Sequence, residues 1–110
     1  MLDIRLYMLQ RITALIMAPL TLGHLAIMIY AVQGGLSTAE ILSRTQGSIF
    51  WFLFYGIFVA SVSIHAAIGL RVIVFETFGL RNIILNIFSW GTCLLFLLLG
   101  ARAVFAVTAL

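Results

Sequence analysis

Three stretches of the chain run without a charged residue: Ile12–Ala39, Thr45–Leu70 and Asn82–Ala101. Each reaches the roughly 20 residues that a helix needs to cross about 30 Å of hydrocarbon. Apolar and polar positions do not alternate as they do in barrel strands, so helices are the spanning structure. The pattern predicts an all-α integral membrane fold, a single domain over 1–110. Its three transmembrane helices are expected at about 12–33, 47–75 and 82–102. The first run is expected to be a span rather than a signal peptide, because it is too long and carries Pro19 and His24.

Polar residues punctuate these runs. The opening, Met1–Arg11, is expected to be a short amphipathic lead-in to the first span, and Pro19 to kink that span. Gly34-Gly35 ends it. Ser37–Arg44 is expected to form a short interfacial helix, with Ser37-Thr38-Ala39-Glu40 as a capping box. Phe50, Trp51, Phe52, Phe54 and Tyr55 form an aromatic belt where the second span begins. Glu76–Arg81 is a short turn carrying Gly79, and the tail Ala103–Leu110 is apolar but too short to cross again.

Composition strengthens this picture. The chain is 65% hydrophobic, more than the core of a soluble 110-residue domain hides. The pI near 9.8 does not indicate nucleic acid, because the six arginines stand singly and no lysine accompanies them. They signal topology instead. Arg5, Arg11, Arg71 and Arg81 fall on the N-terminal and second-loop side, and Arg44 and Arg102 on the other. The positive-inside rule then puts the N-terminus on the cytoplasmic or matrix side. Cys93, the single cysteine, reads as a small buried hydrophobe and excludes an internal disulfide or a cysteine-based metal site.

Two histidines, His24 and His65, interrupt charge-free runs. An intramembrane ionisable group marks a functional site by default, and imidazole is a common axial ligand of haem iron. Residues four apart share a helix face, so Ser61, His65, Gly69, Val72 and Glu76 form one stripe. His65 either ligates haem, with Gly69 letting a flat macrocycle approach, or bonds a neighbouring helix, with Gly69 as a packing notch. Arg71, on a flank, suits a haem propionate or a quinone oxygen. Arg11, with Gln10 and Thr13 beside it, suits a quinone carbonyl, or else snorkels to lipid phosphates. His24 shares a face with Thr13, Met17 and Met28, and either ligates a second haem, pairs with a polar group of a partner, or bonds the Leu20 carbonyl. Counted along the helices, His24 lies about 20 Å beyond Arg11 and His65 about 16 Å from Glu76, which puts them at similar or slightly different depths.

These residues in this order resemble the cytochrome b membrane-anchor subunits of succinate dehydrogenase (respiratory complex II) and fumarate reductase. The large anchor subunit of that family carries His-Arg-x-Ser-Gly entering its first helix, where this chain has Gln10-Arg11-Ile12-Thr13-Ala14. Its second helix carries His, three residues, Gly, one residue, Arg and then an acidic residue. Here the run is His65-Ala66-Ala67-Ile68-Gly69-Leu70-Arg71, followed by Glu76. The resemblance implies that His65 is the axial haem ligand and that Arg11 serves a quinone site. It puts Arg71 near the propionates and the quinone, and Glu76 toward the iron–sulfur subunit. Gln10, Ala14 and Val72 depart from the pattern. The small anchor subunit shares His-x-x-x-Gly, but its Asp-Tyr pair is replaced here by Glu76-Thr77, and Arg71 favours the large type. His24 has no counterpart in the single-haem pattern.

The expectation is therefore an anchor subunit of succinate:quinone oxidoreductase in the bacterial or mitochondrial inner membrane. It would pair with a second hydrophobic anchor subunit, hold haem b and frame a site for ubiquinone or menaquinone. Ser61, His65, Gly69 and Arg71 would serve the haem, with His65 on the iron; Arg11, Thr13 and Arg71 would serve the quinone. Succinate chemistry would belong to flavoprotein and iron–sulfur subunits, since the chain has no cysteine cluster and no glycine-rich dinucleotide loop. His24 is expected to bond a neighbouring helix rather than the iron held by His65. The rival readings are a non-haem structural subunit of another respiratory or photosynthetic complex and a small multidrug transporter. The latter lacks support: no acid follows Asp3 in the first span, and there is no fourth span.

Overall fold

The computed structural model describes residues 3–109, which are helical almost throughout. In chain order the helices are α1 (Ile4–Gly34), α2 (Thr38–Thr45), α3 (Ile49–Phe78) and α4 (Asn82–Thr108). The three long ones are apolar enough to cross a membrane. The molecule measures 47 × 23 × 22 Å, and its long axis matches a bilayer of ~40–45 Å including headgroups. The fold is thus the expected all-α, three-span architecture.

Local chemistry sets the helix limits. Asp3 caps α1, its carboxylate accepting from the Leu6 N–H at 2.9 Å. α1 therefore begins about two turns before Arg11, in place of the separate lead-in expected from sequence. It runs unbroken through Pro19; the carbonyl that Pro19 deprives of its donor belongs to Leu15, on an exposed face. Gly35, at φ +117°, ends α1 as expected. Ser37 caps α2 by accepting from the Glu40 N–H at 3.2 Å, and its hydroxyl donates to Glu40 Oε1 at 2.7 Å. This is the cap of the expected box, with the glutamate returning to the hydroxyl instead of the backbone. Gly79, in the left-handed region at φ +70°, closes α3 with its N–H on the Phe75 carbonyl. Arg102 does not end the third span: α4 absorbs most of the supposed tail and continues to Thr108.

α3 lies between the other two spans. Its apolar window is 28% buried, against 6% for α1 and for α4. The α1 face turned inward is Leu6, Gln10, Thr13, Met17, Leu20, His24, Ile27 and Ala31, spaced in steps of three and four, with Gly23 beside them. That spacing is the seam of left-handed antiparallel packing. Met28, expected beside His24, stands off the seam and is half exposed. Among the described residues the buried positions are five hydroxylated ones, Thr13, Thr45, Ser61, Ser63 and Thr108, and four apolar ones, Ala67, Ile68, Leu85 and Val104, while most of the large apolar side chains point outward. Lipid is as apolar as leucine, so close approach and internal hydrogen bonds, not hydrophobic burial, join these helices.

α2 closes the end away from the N-terminus. Thr45 Oγ1 donates to the Val107 carbonyl at 2.5 Å, and the Gly47 N–H donates to the Thr108 carbonyl at 2.8 Å. Arg44 donates to the Gly35 carbonyl at 3.0 Å and lies over the Tyr30 ring. Carbonyls left over at the ends of α1 and α4 are thereby satisfied from one short helix.

Gly100 is where α4 comes nearest to α3. A Cβ there would overlap the Val59 side chain, whose branched χ1 is stiff in a helix. Gly100→Ala is expected to destabilise the packed spans by about 1–3 kcal/mol, by overpacking. Adding Val59→Ala should recover most of that loss, and thermal unfolding in detergent of the two single variants and the double variant measures it.

Candidate functional site

Antiparallel pairing of α1 with α3 places Thr13 opposite His65. The Thr13 hydroxyl lies 3.2 Å from His65 Nδ1. It also lies 2.8 Å from the Leu9 carbonyl and 3.1 Å from the Gln10 carbonyl, both on its own helix. Thr13 is 4% exposed, whereas His65 is only partly buried. One turn along α3 from His65, the space opened by Gly69 faces the Gln10 amide, which would lie 3.7 Å from a Cβ there. Gln10, Thr13, His65 and Gly69 thus form one polar cluster between α1 and α3. A Cβ at Gly69 would be in ordinary contact with Gln10, so this contact does not itself require glycine. Ser61, on the same stripe, is 5% exposed and sits inside the bundle.

Arg71 belongs to a different face. Six residues from His65 turn a helix by about 120° on balance, and this aims Arg71 at α4. Its Nη1 donates to Asn86 Oδ1 at 3.0 Å and to Ser89 Oγ at 3.1 Å. Ser89 in turn donates to the Leu85 carbonyl at 2.9 Å. Asn86 and Ser89 were not singled out from sequence, although two polar residues three apart in an otherwise apolar run mark one helix face. Two buried side-chain atoms in this half of the molecule have no partner: Arg71 Nε and Gln10 Oε1.

Arg11 is exposed and stays on its own helix, with Nη1 3.4 Å from the Tyr7 hydroxyl and the guanidinium over the Tyr7 ring. Thr13 faces His65, so Arg11 lies near the level of Ala67, about 10 Å inside the start of α1. That is deeper than an interfacial anchor at a helix end. Glu76 is exposed near the end of α3.

His24 is not part of this cluster. Its ring meets Phe58 at 5.4 Å and Tyr55, edge-on, at 6.1 Å between centroids. It borders an open, largely apolar groove of about 590 Å³ that also involves Arg44, Trp51 and Tyr55. His24 lies eleven residues beyond Thr13 on α1, and Phe58 seven residues from His65 on α3. The two histidines are therefore separated by roughly 10–16 Å along the bundle. The similar depths counted from sequence are corrected accordingly. The count sets Arg11 level with Glu76, whereas the register puts Arg11 well inside Glu76. The contacts that hold His24 to α3 are with rings; a hydrogen bond to a neighbouring helix is not among those of the described residues.

The cluster fits haem ligation. His65 uses one ring nitrogen inside the chain, the other remains for an iron, and its partial exposure leaves an approach from outside the α1–α3 pair. Among the described residues no group of three or more His, Cys, Asp or Glu side chains lies together. No curated protein and no solved structure matches the chain. One family does, described as the succinate dehydrogenase/fumarate reductase transmembrane subunit, and it spans residues 2–108. Three apolar spans and a match over nearly the entire length converge: the chain belongs to the succinate dehydrogenase/fumarate reductase transmembrane subunit family.

Proposed function

We propose that the chain is a haem b-binding anchor of succinate:quinone oxidoreductase, passing electrons from an iron–sulfur subunit to ubiquinone or menaquinone. The observation that carries this reading is a half-buried intramembrane histidine, His65, with Nδ1 engaged by Thr13 and Nε2 left over. The family membership leaves no ground for a transporter or for a subunit of an unrelated assembly. A second hydrophobic anchor would cover the exposed faces of α1 and α4 and supply the other axial ligand. Flavoprotein and iron–sulfur subunits would dock at the end where α1 begins and α3 closes, with Glu76 facing them. Four of the six arginines lie toward that end, which makes it the cytoplasmic or matrix side of a bacterial or mitochondrial inner membrane.

Bound haem b supplies a one-electron store. The chain's own residues hold and orient. His65 presents a ring nitrogen; Arg71, anchored to Asn86 and Ser89 through Nη1, keeps the rest of its guanidinium for a propionate or a quinone oxygen. Arg11, a charge exposed well inside the helix end, is a donor for a quinone carbonyl in its reduced form. Thr13, which the sequence groups with the quinone residues, turns its hydroxyl to His65 and to its own helix.

His65→Ala should abolish or scramble the b-type haem spectrum of the purified complex while the complex still inserts; an unchanged spectrum refutes the ligand assignment. Arg11→Ala should lower quinone-dependent kcat/KM by about 10–100-fold, the worth of a charge-assisted hydrogen bond of roughly 1.5–3 kcal/mol, and spare dye-linked succinate oxidation. Equal quinone kinetics would return Arg11 to the lipid. His24→Phe should retain full, low-spin haem, since His24 lies at a different depth and packs on rings; haem content per complex is the measurement.

A further inference from the structure

The Thr13 hydroxyl carries one proton and faces three acceptor-capable atoms: the Leu9 carbonyl at 2.8 Å, the Gln10 carbonyl at 3.1 Å and His65 Nδ1 at 3.2 Å. Carbonyl oxygens only accept. If the hydroxyl donated to His65, its oxygen would face two carbonyl oxygens with no proton between, at a site that is 4% exposed. If it donates to Leu9, the shortest of the three contacts, every atom is satisfied provided that His65 Nδ1 is the protonated nitrogen. The same arrangement recurs at Ser89, which donates to the carbonyl four residues back and accepts from Arg71 across the helix boundary.

We propose that Thr13 is a positioning residue for His65, accepting its Nδ1 proton and so presenting Nε2, lone pair outward, as the nitrogen that ligates iron. This rests on the haem reading of the preceding section. A hydrogen bond accepted from the far nitrogen fixes the tautomer and the ring plane of a ligating histidine and makes it a richer electron donor. A richer donor favours ferric over ferrous iron and lowers the reduction potential. Thr13, first grouped with the quinone residues, therefore acts on the haem.

The test is a redox titration of haem b in the intact, purified complex carrying Thr13→Val, which keeps the shape and removes the acceptor, or Thr13→Ser, which keeps the acceptor. The Val variant should titrate at a higher midpoint potential than the unsubstituted complex, and the Ser variant should stay close to it. A Val complex with full haem and an unshifted potential overturns the positioning role and leaves the haem reading standing. If instead His65→Ala leaves the haem spectrum unchanged, the haem reading itself falls and the proposal with it. Should the Val variant not assemble, ¹⁵N-histidine NMR of the unsubstituted complex decides: a protonated Nδ1 on the ligating His65 supports the proposal, and ligation through Nδ1 overturns it.

Discussion

A hydroxyl in hydrocarbon has no water to turn to, and this governs how α1 lies on α3. Thr13 must satisfy its oxygen and its proton within the protein, and it does so between the Leu9 carbonyl and the His65 ring. That requirement fixes which residue of α1 stands opposite which residue of α3. Gln10 beside Gly69 and Gly23 beside Phe54 follow from the same register. A slide by one turn would separate all three pairs and leave the His65 ring without the Thr13 hydroxyl.

The α3–α4 pair obeys a different constraint. There the backbones approach at Gly100 over Val59, and Arg71 is tied to Asn86 and Ser89 nearer the opposite end. One contact is steric and the other polar, and together they hold the two helices in line over most of the span. α3 consequently carries His65 on one face and the anchored Arg71 on another. A site that needs both would have to reach around α3, which suits a partner subunit completing it from outside better than a cavity internal to this chain.

The two halves of the bundle differ in chemistry. Toward the start of α1 lie Gln10, Thr13, His65 and Arg71, with polar capacity unused at Gln10 Oε1 and Arg71 Nε. Toward the other end, His24 is set among Tyr55 and Phe58, and α2 spends its polar groups on helix-end carbonyls. The first half keeps polar atoms between its helices. The second is equipped to close the bundle.

Much of this was legible in the residues alone. Charge-free runs of sufficient length specify spanning helices because hydrocarbon tolerates little else, and the arginine distribution follows from the number of crossings. The stripe from Ser61 through His65 to Gly69 needed only the helical repeat. α1 and α4 extend past Arg11 and Arg102, where the charge-free runs stop, because a helix continues past a charge whose long side chain can reach a partner or the interface. What sequence spacing does not contain is the relative slide and rotation of the helices. Only packing decided that Thr13 meets His65, that Arg71 turns to α4 and that Gln10 lies beside Gly69. Packing alone also set His24 at another depth, because periodicity assigns a face to each helix but not the neighbour that face will meet.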